Sequence, residues 1–105
     1  MAMRDKLHAK FVRAVIALGI QLEQRRQWEQ AAALYSRALE LDNLAEGLYR
    51  RLMISLRELG ETAEASKVYR RCRDMLSIVL STSPSPETEA IRSSLRQGAG
   101  GESPR

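Results

Sequence analysis

Apolar residues recur every three or four positions in five segments of the chain, and short polar breaks separate these segments. This spacing is typical of amphipathic α-helices, so the expected fold class is all-α. The predicted helices cover residues 7–22, 28–41, 44–59, 62–80 and 86–97. In the first helix the predicted inward-facing stripe is Leu7, Phe11, Ala14, Val15, Leu18 and Leu22.

Residues at the helix ends indicate where the later helices begin and end. Asn43 followed by Glu46 predicts a capping box, because these two side chains can bind backbone N–H groups at the start of the third helix. Gly60 suits the position just after that helix, where the backbone often turns left-handed. Ser85 and Pro86 are typical of an N-cap and a first helical residue. The expected inward-facing residues of the second and third helices are Ala31, Leu34, Tyr35, Ala38 and Leu41, then Ala45, Leu48, Tyr49, Leu52, Met53 and Leu56.

The pattern of helices also repeats after 34 residues. Positions related by this shift carry similar residues, as in Leu18 and Leu52, Leu22 and Leu56, Ala31 and Ala65, Tyr35 and Tyr69, and Ala38 and Cys72. A period of 34 with two helices per unit is the spacing of tetratricopeptide repeats. We therefore expect two tetratricopeptide-like helical hairpins in a right-handed stack, with the last helix capping its end. Residues 1–97 form the predicted domain, and residues 98–105 form a predicted disordered tail.

Composition and charge narrow the range of partners. Apolar residues make up 44% of the chain and charged residues 29%, which indicates a globular protein. The net charge is +4 and 14 of the 17 basic residues are arginine, but Glu and Asp alternate with them along the helices. That alternation favours solvated helix faces over a dedicated nucleic-acid surface. With no run of ~20 apolar residues and a single cysteine, the sequence predicts no membrane partner and a cytoplasmic location.

Chemical groups suited to catalysis or metal binding are sparse. His8 is the only histidine, and no second histidine or cysteine lies near it in the sequence. A metal site needs three or four ligands and a catalytic histidine needs a partner within reach. Cys72 occupies a repeat position that takes a small core residue, and no glycine-rich phosphate loop is present. We therefore expect no enzymatic activity, no catalytic or metal-binding residues and no cofactor.

A stack of helical hairpins is concave on the side lined by the first helix of each unit. Helix geometry predicts that a partner-binding groove on this side is lined by Arg13, Ile16, Ile20, Glu23, Arg50, Ile54 and Arg57. Its isoleucines lie off the main core stripe, so another apolar surface must cover them. Either a helix or peptide with apolar and acidic residues occupies the groove, or the last helix folds back and covers it with Ile91 and Leu95. Arg51 is expected to lie outside the groove, in solvent.

Three segments carry a narrower resemblance. They read RALELDNLAEGLYRRLM at 37–53, LGETAEASKVYRRCRDML at 59–76 and PSPET at 84–88. In these segments the chain resembles the C-terminal part of the bacterial transcriptional activator domain, a tetratricopeptide-like module of bacterial regulators. The resemblance implies neighbouring regulator domains as protein partners. Ser81 stands where the family usually has glycine, and the apolar Ile78 and Val79 replace polar residues, so these two form a candidate self-association surface.

Three functional hypotheses follow. The first is a non-catalytic module for protein–protein interaction and signal coupling within a bacterial transcription regulator. The alternative is a stand-alone adaptor that binds a partner peptide or forms a homodimer. A second alternative is direct nucleic-acid binding through the arginine clusters, although the charge pattern does not favour DNA binding by this segment. Those clusters are Arg25-Arg26, Arg50-Arg51 and Arg70-Arg71-Arg73.

Overall fold

The structure, a computed structural model, describes the backbone of residues 2–102 and the side chains of residues 6–95. Within that range every regular element is an α-helix, which confirms the predicted all-α class. The helices are α1 (Ala2–Gln24), α2 (Trp28–Leu41), α3 (Glu46–Glu58), α4 (Thr62–Leu80) and α5 (Pro86–Glu102).

Helix α3 is the centre of the molecule, because it contacts each of the other four helices. Short connections join consecutive helices, and α1 packs on α2, α2 on α3 and α3 on α4. Helix α5 then lies against both α3 and α4. The arrangement as two tetratricopeptide-like hairpins in a right-handed stack stays a prediction.

Several positions related by the 34-residue shift are buried in both halves of the core. Ala31 and Ala65 are both fully buried, as are Ala38 at 2% and Cys72 at 0% exposure. Small side chains at these positions let neighbouring helices approach closely. Burial raises the pKa of the Cys72 thiol to about 12, with a further contribution from the carboxylate of Glu46. Cys72 is therefore a protonated core residue at neutral pH.

Gly19 allows the closest approach between α1 and α2. A Cβ atom at this position would lie 2.1 Å from the hydroxyl oxygen of Tyr35, which is far inside van der Waals contact. Tyr35 itself is fully buried. Only glycine leaves room for the tyrosine ring at this crossing.

Three helices end with a residue in the left-handed backbone region. After α3, Gly60 has φ +79°, and its N–H and that of Glu61 bind the carbonyls of Arg57 and Leu56. This pair of bonds is a Schellman motif. The same pair of bonds follows α1, but there the left-handed residue is Arg26, with φ +59°. Ser81, with φ +52°, ends α4.

Part of the predicted core stripe was wrong. Leu7 and Leu18 of α1 are 60% and 52% exposed, and Leu41 of α2 is 71% exposed. Helix α2 packs on the face of α1 that carries Val15 and Gly19, so no described element covers Leu7 and Leu18. In α2 the buried residue near the C-terminal end is Leu39 instead of Leu41.

The predicted capping box at Asn43 and Glu46 was also wrong. Helix α3 begins at Glu46, its N-cap is Ala45, and no side chain caps it. The carboxylate of Asp42 accepts the N–H of Leu44 and turns the chain before the helix starts. The side chain of Glu46 binds residues near the start of α5 instead.

At its own start, α5 follows the prediction. Ser85 precedes Pro86 and its Oγ accepts the N–H of Thr88 at 3.4 Å, as an N-cap residue should. The helix runs to Glu102, beyond the predicted end at residue 97. Residues 103–105 of the predicted tail lie outside the described residues. The division of the chain into a domain and a tail at residue 97 stays a prediction.

Candidate functional site

On the α1 side of the predicted groove, two contacts join α1 to α3. Ile16 packs closely on Gly47, because a Cβ on that glycine would lie 3.3 Å from Ile16 Cδ1. Glu23 forms an ion pair with Arg51 at 3.1 Å and accepts a hydrogen bond from the Tyr35 hydroxyl. Arg51 is therefore not in solvent as expected, but links α3 to α1. Burial is the main cause of the raised pKa of Tyr35, and the Glu23 carboxylate adds to it.

On the α3 side, the start of α5 forms a polar network with the groove residues. Glu46 accepts the backbone N–H of Ser85 at 2.7 Å and a hydrogen bond from the hydroxyl of Thr88. Arg50 donates to the hydroxyls of Ser85 at 3.4 Å and Thr88 at 3.3 Å, and its guanidinium lies 3.8 Å from Glu46. Thr88 is fully buried. The network ties the start of α5 to α3.

Further along α5, the contacts with α3 continue. Arg57 donates to the hydroxyl of Ser94 at 2.8 Å. Leu95 belongs to the core and is 2% exposed. Ile91 is partly buried and packs against this core. Helix α5 thus lies over the α3 side of the predicted groove. This is the alternative in which the last helix folds back onto the groove.

Three groove residues make none of these contacts. Arg13 is exposed, while Ile20 and Ile54 are partly exposed and lie outside the core cluster. Ile20 and Ile54 are related by the 34-residue shift, so the two halves leave the same position only partly covered. A partner-binding role for the seven groove residues stays a prediction.

The most exposed apolar surface of α1 is formed by Leu7, Ala14 and Leu18, which we call the α1 face. The residues of α3 related to Ala14 and Leu18 by the 34-residue shift are Leu48 and Leu52. These are 0% and 3% exposed in the core, on a helix that α2 covers. Leu18 is 52% exposed, and Ala14 is also exposed. The same helix position is therefore covered in one half of the molecule and open in the other.

A second apolar surface lies at the C-terminal end of α4. Ile78 is 78% exposed, Val79 49% and Leu80 51%. Three neighbouring apolar residues are thus in solvent where the helix leaves the core. Self-association through Ile78 and Val79 stays a prediction.

The one histidine of the chain does not belong to a metal-binding cluster of the described residues. His8 lies on the surface of α1 with its Nδ1 3.9 Å from a carboxylate oxygen of Asp42. Among the described residues, no three His, Cys, Asp or Glu side chains are grouped to hold a metal ion. Within residues 2–102, no helix combines the length and the apolar character needed to cross a membrane.

The structure separates the three arginine clusters by their roles. Arg50 and Arg51 are engaged with Glu46 and Glu23, so their charges are largely compensated inside the protein. Arg70, Arg71 and Arg73 are exposed on α4, and the guanidinium of Arg71 lies 5.9 Å from the centre of the Tyr49 ring. Arg25 and Arg26 are exposed in the connection between α1 and α2.

The family of the chain is decided by its match to a family model. The model of the bacterial transcriptional activator domain matches residues 2–96, which covers all of α1 to α4 and most of α5. The chain belongs to this family. As a bacterial transcriptional activator domain, it is a part of a transcription activator, and the family is a regulatory one. Comparison with curated proteins and with solved structures found no match.

For this bacterial transcriptional activator domain, sequence reasoning missed the network around Glu46. Glu46 was assigned to the start of its own helix, and its partners Ser85 and Thr88 lie about forty residues further along the chain. The PSPET segment at 84–88 was the available signal. Its two hydroxyl side chains, Ser85 and Thr88, lie at a helix start, and each needs a hydrogen-bond partner. Thr88 is buried and finds its partner in Glu46.

Proposed function

We propose that this domain is a non-catalytic module for protein–protein interaction and signal coupling in a cytoplasmic transcription regulator. The observation that supports this most strongly is the open α1 face. Leu7 and Leu18 are more than half exposed, although a folded chain of this size has few apolar residues to leave in solvent.

The repeat within the chain indicates what kind of partner fits this face. Leu48 and Leu52 of α3 are buried on a helix against which α2 packs. Because Ala14 and Leu18 are at the equivalent positions of α1, an α-helix with an apolar face like that of α2 suits them. Covering the exposed half of each leucine contributes about 1 kcal/mol to such binding.

The flanks of the α1 face add a charge preference. Lys10 lies three residues after Leu7 and is therefore beside the apolar stripe, and Arg25 directly follows the last residue of α1. Both are exposed. The partner we propose is therefore an amphipathic helix of another protein domain, with acidic residues at the edge of its apolar face.

Signal coupling follows from the contacts of α3. This helix touches all four other helices, and its polar network holds the start of α5. A partner that moves α1 relative to α3 changes the Glu23–Arg51 pair and the Ile16–Gly47 contact. Helix α3 then passes the change on to α5 through the bonds of Glu46 and Arg50.

Transcription in cells tests the proposal. The Leu18→Glu change is made in the regulator that carries this domain, and a reporter gene under its promoter is measured. Because Leu18 is half exposed, folding should be unaffected while reporter transcription falls by roughly tenfold, which corresponds to ~1.4 kcal/mol of lost binding.

The matched control is Ala33→Glu, which adds the same charge at an exposed position of α2. It should leave reporter transcription unchanged. If Leu18→Glu and Ala33→Glu both give wild-type transcription, the α1 face is not the interaction surface.

A second candidate function is homodimer formation through Ile78 and Val79. The supporting observation is the exposure of three consecutive apolar residues at the end of α4. Light scattering should then give a dimer mass for the wild type and a monomer mass for an Ile78→Glu, Val79→Glu variant. An equal mass for the two proteins would contradict this interface.

A further inference from the structure

An open cleft of about 460 Å³ lies between α4 and α5, away from the α1 face. Three arginines, Arg70, Arg73 and Arg92, line it together with the hydroxyl-bearing Thr62 and Ser66. Its lining contains no Asp or Glu. The cleft therefore presents hydrogen-bond donors of positive charge around a concave space, which is a setting for a carboxylate or phosphate ligand.

The side chain of Arg92 is held in place at the wall of this cleft. Its Nε donates to Glu89 at 2.9 Å, and its guanidinium lies 5.2 Å from the centre of the Tyr69 ring. The Tyr69 hydroxyl donates to the other oxygen of Glu89 at 2.6 Å. Hydrogen bonds from Tyr69 and Arg92 lower the pKa of Glu89, so this carboxylate stays charged at neutral pH.

This arrangement leaves donors of Arg92 for a ligand. Within the described side chains, Glu89 takes the Nε–H, and no carboxylate accepts a hydrogen bond from the two terminal nitrogens. Arg73 binds Asp74, its neighbour in the sequence, through Nε and one terminal nitrogen. Among the described carboxylates none forms an ion pair with Arg70. A fixed guanidinium loses little conformational freedom on binding, which favours affinity.

The equivalent face of α2 shows that this surface differs between the two halves. The residues of α2 related to Ser66 and Arg73 are Ala32 and Leu39, which are 9% and 1% exposed in the core. In α4 the positions carry a hydroxyl and a guanidinium and face the cleft instead. A helix face that is apolar in one half is thus polar, basic and concave in the other.

We infer that this cleft binds an acidic peptide segment of a protein partner. Arg70 and Arg73 lie three residues apart on one face of α4, about 4.5 Å along its axis, and match two carboxylates one helical turn apart. Arg92 faces them from α5, and the exposed Ala63 supplies an apolar contact for the partner's side chains. Asp74 and Glu89 at the edges of the cleft disfavour the continuous phosphate chain of DNA.

Nuclear magnetic resonance of the whole chain tests the inference. The probe is a synthetic peptide of about twelve residues, ~18 Å long as a helix, with Glu three positions apart and Ala elsewhere, so that it carries no large apolar side chain for the α1 face. The expected result is that it shifts the signals of Ser66, Arg70 and Arg92 and leaves those of Leu7 and Leu18 unchanged. The same peptide with Gln in place of Glu should cause no shift.

Two double variants with the same change in net charge give the control. Arg70→Gln with Arg73→Gln should weaken peptide binding by at least about tenfold, since charged hydrogen bonds are lost. Arg26→Gln with Arg37→Gln changes two exposed arginines elsewhere and should alter the affinity less than about twofold.

Three results would overturn the inference. Equal weakening in the two double variants would mean diffuse attraction without a site. Equal binding of the Gln peptide would mean that the carboxylates are not recognised. Short duplex DNA that shifts the same signals at lower concentration than the Glu peptide would identify a nucleic-acid site. None of these results bears on the α1 face, so the two proposals fail or succeed separately.

Discussion

At Gly19 the backbone of α1 lies so close to Tyr35 that one added methyl group would collide with the tyrosine ring. Gly19→Ala should therefore destabilise the protein by about 1–3 kcal/mol, the usual cost of an overpacked core. This is opposite to the gain of up to ~1 kcal/mol that alanine normally gives inside a helix. Urea unfolding measures the change.

Gly47→Ala is the matched control within α3. The nearest atom to its new Cβ is the Cδ1 of Ile16 at 3.3 Å, at the end of a flexible side chain. We expect a change near zero or a small gain in the free energy of unfolding. If the Gly19→Ala and Gly47→Ala variants have the same free energy of unfolding, the close contact between Gly19 and Tyr35 does not exist as described.

The side chain of Glu46 makes the stability of the protein depend on pH. Burial alone would raise its pKa, but hydrogen bonds from Thr88 and Ser85 and the charge of Arg50 outweigh burial and lower it. A carboxyl group with a lowered folded-state pKa stabilises the protein above its ordinary value of 4.5, and this contribution is lost as pH falls through the lower folded value.

The Glu46→Gln variant should lose about 1–3 kcal/mol of stability at pH 7. Its free energy of unfolding should also fall less steeply than that of wild type as the pH drops below 4.5. Denaturant unfolding at a series of pH values measures both effects. Parallel curves for the two proteins would show that Glu46 does not make these bonds.

Some of these residue contacts can be predicted from the sequence, and others cannot. The small residues Ala31 and Ala65 follow from the 34-residue repeat, whereas Gly19 does not, because the residue related to it is Met53. The partner of Glu46 does not, because a capping box uses only local spacing, whereas the observed bonds join α3 to the start of α5.

At the scale of the helices, the three residues that end a helix with positive φ differ in how well they tolerate this backbone conformation. Glycine adopts positive φ without the clash of a Cβ, and other residues do so at a cost of about 1 kcal/mol. Gly60 ends α3, whereas Arg26 and Ser81 occupy the corresponding conformations after α1 and α4. Arg26→Gly and Ser81→Gly should each stabilise the protein by about 0.5–1 kcal/mol.

Thermal and urea unfolding measure these two changes, with Gly60→Ala as the opposite control. Its positive φ of +79° makes alanine unfavourable, so Gly60→Ala should lower the stability by about 1 kcal/mol. A loss of stability in the Arg26→Gly and Ser81→Gly variants would mean that the native side chains make contacts that offset the strain.

Helix boundaries could be predicted where local signals decide them. The limits of α2 and α4 were predicted to the residue from periodicity. The start of α3 was displaced by two residues, because Asp42 turns the chain before the helix. Which face of α1 is buried could not be read from periodicity, since Leu7, Leu18 and Val15 share one apolar pattern and only the position of α2 separates them.

At the scale of the whole molecule, the sequence predicted a groove but left its occupant open. The structure places α5 over the α3 side through Arg50 and Arg57. Long-range packing of this kind depends on where the chain returns, which the connection of 81–85 alone does not specify. The open α1 face and the arginine cleft are two of the surfaces that this packing leaves uncovered.

The central claim is that the α1 face binds a helix of a protein partner. Photo-crosslinking in living cells tests it most directly, with a photoreactive amino acid in place of Leu18 in the regulator that carries this domain and in place of the exposed Ala33 as control. Mass spectrometry then identifies the attached peptide. The account predicts that Leu18 becomes attached to an amphipathic segment with apolar and acidic residues, and that Ala33 does not. Equal or absent attachment at the two positions would contradict it.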